Sequence, residues 1–274
     1  MIDIPRHSRA LPSVPPDWQL VSANITLDRK LLVIFRDAAH RGHICSLNKT
    51  AWDVYTVMEN CPAFPLMDRC ADGTILIASS RRKPGQLNGA VIRPDHVVEP
   101  ISCGDAIEHL QLDNTGNAWI GYFDEGVFGA DQLSQRGLVR LGLEGTLLCD
   151  AGEPIDDCYA LNVSEDRVLA SWYSDFPIAE CTLEMTERNR LPRAPYPIKR
   201  LAFFEDKLLL QEAYKDGQFH FGRWVPAGWE HEESLTAVEL FGCGIGQQDR
   251  LIARSSQFHL INTDKWIWVD IADF

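Results

Sequence analysis

Carboxylates set beside aromatic residues are the most suggestive chemistry in this 274-residue chain. Four apolar runs end in such groupings: Phe35-Arg-Asp37, Tyr122-Phe-Asp-Glu125, Trp172-Tyr-Ser-Asp175 and Tyr214-Lys-Asp216. Two further acidic groups stand just before apolar runs, Asp105 with Glu108 and Asp156 with Asp157. Carboxylates attract a cationic partner over long range, and tyrosines offer rigid contact area. The residues expected to bind are therefore Glu108, His109, Tyr122, Asp124, Glu125, Asp156, Asp157, Tyr173 and Asp175. Each aspartate also has a plainer reading, because Asp at a strand end caps turns by accepting backbone hydrogen bonds.

Catalysis asks for more than carboxylates. Two acids run acid–base chemistry when burial drives their pKa values apart. Asp156 and Asp157 are adjacent, so on a strand they point to opposite faces and do not make such a pair. His109 follows Glu108 at the start of a predicted strand, where a lone histidine serves structure more often than chemistry. His220 and His259 fall in matching apolar runs and read as features of a repeat. No G-x-S-x-G, H-E-x-x-H, phosphate-loop or dinucleotide pattern occurs. No catalytic residue is assigned. His40, His43 and Cys45 are the nearest approach to a metal-ligand cluster and lack a second half, so no metal or other cofactor is expected. The 8 cysteines form no C-x-x-C pair and read as small buried hydrophobes of a reducing compartment.

The balance of 26 Lys and Arg against 39 Asp and Glu gives a net charge of −13. Such a surface repels phosphate backbones and anionic lipid, which argues against nucleic acid and membrane and favours a basic protein as partner. Met1 to His7 shows no basic-then-apolar leader, and no run is apolar enough to span a bilayer, so a cytoplasmic location is expected.

These groups need a frame, and an internal repeat supplies one. An alternating apolar strand, a polar turn and a second apolar strand recur six times. The first residues after the turns are Leu31, Ile75, Ala118, Val168, Leu208 and Leu251, at steps of 44, 43, 50, 40 and 43 residues. A period of about 40–45 residues is that of a four-stranded propeller blade. Third strands are expected at His43–Leu47, Leu138–Leu141, Ile178–Leu183, Phe219–Trp224 and Phe258–Ile261. Fourth strands are expected at Trp52–Met58 (which also fits a short helix), Val97–Ile101 and Trp266–Ile271. The long step coincides with Asp124–Gly137, read as an extended loop. The chain thus reads as all-β: one six-bladed β-propeller of four-stranded antiparallel blades over residues 1–274, with seven blades as the alternative. A single such sheet cannot bury both faces, whereas radially set sheets bury each face against a neighbour. The proline-rich segment 1–17 is expected either to clasp a blade edge or to remain loose.

The third copy, Asp113-Asn-Thr-Gly-Asn-Ala-Trp-Ile-Gly121, resembles the D-x-x-G-x-x-W-I-G repeat of two-component-regulator-type propellers. Blade two keeps only Asp72-Gly73. Gly121–Gly129, Asp157–Val163 and Tyr173–Pro177 resemble a group of bacterial propeller proteins whose function is unassigned. The resemblance covers the middle third of the chain and implies the fold. The extracytoplasmic sensor role usual for regulator-type propellers does not carry over without a leader or anchor.

In a propeller, loops between second and third strands and links between blades share one face, where binding groups collect. The function expected is therefore non-catalytic capture of a macromolecule, such as a basic protein in immunity-like neutralisation, by an acidic, aromatic-rimmed face of blades three and four. The alternative is a metal-dependent hydrolase, lactonase or lyase with a divalent ion in the central channel, held by a set such as Glu108, Asp157 and Asn162. A small-molecule sensor is a third reading.

Overall fold

The computed structural model describes residues 4–83 and 85–274. Six four-stranded antiparallel sheets form the blades of a β-propeller, as the repeat implies. Residues 11–158 make one compact unit, and residues 1–10 with 159–274 make another.

The 11–158 unit holds three blades. Blade one runs Gln19–Ile25, Leu31–Arg36, Gly42–Asn48 and Ala51–Met58. Blade two runs Pro65–Arg69, Ile75–Ser79, Gly89–Ile92 and Val98–Ile101; blade three runs Ile107–Leu112, Ala118–Tyr122, Leu138–Leu141 and Leu147–Asp150. The Trp52 segment is thus a strand. Second strands are buried along nearly their whole length, because both faces meet other sheets. Alternation then decides which neighbour each side chain meets. Ile75 and Ile77 pack with Leu32, Ile34 and Ile44 of blade one, while Leu76 and Ala78 pack with Leu110, Ile120 and Val139 of blade three. The outermost strand of blade one, Ala51–Met58, is mostly exposed or half-buried.

A buried polar residue next to last in the first strand ties neighbouring blades together. Asn24 donates its amide to the Met67 carbonyl at 2.8 Å, and Asp68 accepts the Leu112 N–H at 2.7 Å. Asn162 does the same in the other unit, donating to the Leu201 carbonyl at 2.7 Å.

Blades four to six belong to the second unit, except that Asp157 and Cys158 at the start of blade four fall in the first. Blade four runs Asp157–Val163, Val168–Tyr173, Ile178–Cys181 and Glu187–Leu191; blade five runs Ile198–Phe204, Lys207–Glu212, Gln218–Val225 and Gly228–Thr236. Blade six departs from expectation. Its first three strands are Arg250–Arg254, Gln257–Ile261 and Lys265–Asp270, and its fourth is Arg6–Ala10 from the N-terminus, paired antiparallel with Lys265–Asp270. Leu251 therefore lies in a first strand, Phe258–Ile261 in a second, and Trp266 in a third. His259 and His220 accordingly do not occupy equivalent places. Ahead of that first strand the chain forms the helix Ala237–Phe241. Thr236 and Glu239 close a capping box at its start, Gly242 ends it with φ 76°, and Ala237, Leu240 and Phe241 bury one face. Of the N-terminal proline-rich segment, Arg6–Ala10 is a strand at the edge of blade six. The 124–137 insertion carries two single turns, Asp124–Val127 and Ser134–Arg136, rather than an extended loop.

Candidate functional site

Blade three shows first what an aspartate does when the fold needs it. Asp113 opens the hairpin turn and accepts five hydrogen bonds. Oδ1 takes the Thr115 N–H at 2.9 Å, the Thr115 hydroxyl at 2.6 Å and the Asn117 N–H at 3.1 Å. Oδ2 takes Trp119 Nε1–H at 3.0 Å and Arg140 Nε–H at 2.8 Å. Gly116 turns the chain at φ 81°, and Trp119 is fully buried. The spacing Asp-x-x-Gly-x-x-Trp is thus one device: the carboxylate caps the turn and anchors the indole of the following strand. Burial alone would raise the Asp113 carboxyl, but the Thr115 and Asn117 hydrogen bonds and the Arg140 charge bring it below its ordinary range.

Asp157, Asp124 and Glu108 form a contrasting group at the loop ends of the 11–158 unit. Asp157 is half-buried at the start of its strand. Glu108 lies at a register shift between Ile107 and His109, a bulge that turns its side chain outward into solvent. Asp124 begins the Asp124–Val127 turn and is exposed. Among the described residues no cation pairs with any of the three. Burial first, then the charges of Asp124 and Glu108, push the Asp157 carboxyl up to about 6. The seat of Asp157 follows from Gly121: a Cβ there would stand 2.5 Å from Cys158 Sγ, so the glycine lets Cys158 pack against blade three. Cys158 is fully buried, and that burial raises its thiol far above its usual range. His109 lines the same seat, its Cδ2 3.4 Å from the position of that Cβ.

The other expected residues separate. Glu125 pairs with Arg81, which also holds Asp105 at 3.3 Å and lies over the Phe123 ring, its Cζ 5.6 Å from the centroid. Glu125 is thereby largely neutralised. Asp156 is half-buried beside Asp157. Tyr122 is fully buried and donates its hydroxyl to the Cys103 carbonyl at 2.8 Å, so it supports the loop from within and presents no surface. Tyr173 and Asp175 are exposed and belong to the other unit. There Tyr173 meets Phe176 edge-on at 5.9 Å, and Phe176 meets Tyr159, whose hydroxyl lies 2.8 Å from that of Tyr214.

Three features were not singled out from the sequence. Phe64, Leu87 and Phe128 are large apolar residues exposed at 66, 57 and 73%, all in second-to-third-strand loops or inter-blade links of the 11–158 unit. Such loops and links lie at one end of an antiparallel meander, the end that carries Asp124 and Glu108. The second is Arg81, whose guanidinium divides the acidic residues into paired and unpaired sets. The third is a repeated aromatic–histidine–carboxylate stack. His43 hydrogen-bonds Asp37 at 2.9 Å beneath Trp18, and His220 hydrogen-bonds Glu212 at 3.0 Å beneath Tyr196. In both, the acid lies two residues past the histidine's cross-strand partner, Phe35 or Leu210. The hydrogen bond from His43 holds Asp37 well below the usual carboxylate range. Burial lowers His220 despite Glu212. This stack is the place of His43.

Among the described residues no three His, Cys, Asp or Glu side chains converge as metal ligands. Asn162, one member of the ligand set considered above, is fully buried and its amide is committed to the Leu201 and Ser255 backbone. None of the helices among the described residues is long and apolar enough to cross a membrane.

No protein-family model matches the chain, and no curated protein matches it. Solved structures do. A catalytically inactive virginiamycin B lyase from Staphylococcus aureus with quinupristin aligns over 97% of this chain and 100% of its own, at 10% identity and TM-score 0.51. KlHsv2 with one loop replaced by a Gly-Ser linker aligns over 89% and 74%, at 10% identity and TM-score 0.57. A chain of the mitotic checkpoint complex aligns over 94% and 76%, at 8% identity and TM-score 0.59. At such identities the likeness is one of fold: the chain shares the β-propeller architecture of a lyase and of a component of a protein assembly.

Proposed function

We propose that the protein binds a basic partner protein, without catalysis, through the loop end of the 11–158 unit. One observation supports this most: among the described residues Glu108, Asp124 and Asp157 lie together without a pairing cation. A carboxylate pushed up to about 6 by its surroundings is a cost that a cation would relieve. The exposed Phe64, Leu87 and Phe128 supply apolar anchors at the same end, and anchors ringed by charge are the common build of protein interfaces. The partner's matching surface is expected to offer lysine or arginine beside aliphatic side chains.

The test is capture of partners by the wild type and by a Glu108→Lys, Asp124→Lys double variant. Both positions are exposed, so the variant is expected to fold normally. The expected result is a basic protein held by the wild type, weakened by salt, and lost from the variant by at least about tenfold. Equal capture by the variant, or a partner with no basic face, contradicts the reading.

The raised Asp157 carboxyl also suits a proton donor, which keeps an enzymatic reading, hydrolase or lyase, as the second choice. Elemental analysis of the purified protein addresses its metal-dependent form, since a stoichiometric divalent ion would favour it.

A further inference from the structure

The unit formed by residues 1–10 and 159–274 contains a cavity of about 600 Å³ that the proposed surface does not use. Its size is within the range of sites that enclose small organic ligands. The walls come from the start of strand Ile198–Phe204, the loop after strand Lys207–Glu212, and the segment leading into blade six.

Its charge is of two kinds. Lys199 is exposed and, among the described residues, pairs with no carboxylate. Arg200 stands next to it, its Nη1 donating to Gln211 Oε1 at 2.9 Å. Asp216 supplies the opposite sign, also exposed and without a pairing cation among the described residues. Asp249 is partly spent, accepting the Gly246 N–H at 2.7 Å. The apolar lining is aliphatic and includes Val238, Ile245 and Leu251, with no aromatic ring to stack on a flat ligand.

Gly244 adds an independent observation. Its φ is not in the left-handed region, and no heavy atom lies within 4 Å of where its Cβ would stand. Neither backbone nor packing calls for glycine there, and a larger side chain would occupy the cavity it lines.

We propose that this cavity binds a short aliphatic peptide, about two to four residues long, by its free termini. Lys199 and Arg200 receive the carboxylate, Asp216 receives the ammonium group, and Val238, Ile245 and Leu251 meet the side chains between.

Calorimetric titration with trialanine, its C-terminal amide and its N-acetyl form tests this. The wild type is expected to bind trialanine, and each blocked form about tenfold more weakly, since each lacks one charge-assisted contact. Lys199→Met should weaken trialanine part of the way to the level of the amide, because Arg200 remains, while leaving the amide unchanged. Asp216→Asn should do the same relative to the acetylated form. Gly244→Leu should abolish binding of all three; if that variant misfolds by circular dichroism, the two exposed-residue variants carry the test. Absence of trialanine binding by the wild type at millimolar concentration overturns the proposal. So does equal affinity for the blocked and free forms, or wild-type affinity in a folded Gly244→Leu protein.

Discussion

Asp113 and Asp157 lie in the same unit, each beside a blade strand, and their surroundings are opposite. Asp113 has five donors, including a buried guanidinium, and titrates below its ordinary range. Asp157 has two acidic neighbours, no pairing cation among the described residues, and titrates near 6. Where the fold uses a carboxylate, donors surround it. Where a carboxylate is held at a cost among its own kind, protonation relieves it, and on the proposed reading a cationic partner does so as well. The comparison separates turn-capping acids from candidate binding acids, which composition alone cannot do.

The contrast is sharpest in stability. Asp113→Ala leaves Arg140 buried without its carboxylate and frees the turn, so a loss of about 3–5 kcal/mol is expected in urea unfolding, with an unchanged m-value. A loss under about 1 kcal/mol would dissolve the distinction.

Asp157→Asn is expected to act in the other direction and less strongly. Its folded pKa is raised, so folding favours the protonated form; that stability is fully present below the unfolded value near 4 and is lost as pH rises through about 6. The variant should therefore be more stable than wild type at pH 7.5 by about 1 kcal/mol, after allowing for solvent screening of a half-exposed group, and equal to it below pH 4. A variant less stable at pH 7.5 would show that Asp157 has a structural task.

Glu125→Gln should change stability least, by under about 0.5 kcal/mol, because its pair with Arg81 is exposed. Its effect should shrink further in high salt, as measured by thermal unfolding at two ionic strengths.

Much of the architecture was legible because the alternation that buries both faces of a blade is written in each second strand. Ile75 and Ile77 face one neighbour and Leu76 and Ala78 the other. Blade six was misread for two physical reasons. Its outer strand comes from Arg6–Ala10, at the far end of the chain, and no local periodicity reveals such a pairing. The step to Leu251 matched the period although Leu251 lies in a first strand that a helix precedes, and the Thr236-to-Glu239 capping box was the overlooked sign.

The site was half legible. Asp124, Asp157 and Glu108 were picked out by position, and they do come together. Their lack of a cation depends on where Arg81 reaches, and it reaches Glu125 and Asp105, some 44 and 24 residues away. Tyr122 read as a surface tyrosine because it follows the buried run Ala118–Gly121, but its ring continues that burial and its hydroxyl finds the Cys103 carbonyl. The stacked histidines were hidden because the acid, the histidine and the ring come from three different segments.

The most direct measurement is the titration of the Asp157 carboxyl carbon by NMR in the intact protein. A midpoint near 6, falling when Glu108 and Asp124 are replaced by Gln and Asn, is the predicted result. A midpoint at or below about 4, unmoved by those replacements, would mean that the three acids neither crowd one another nor await a cation.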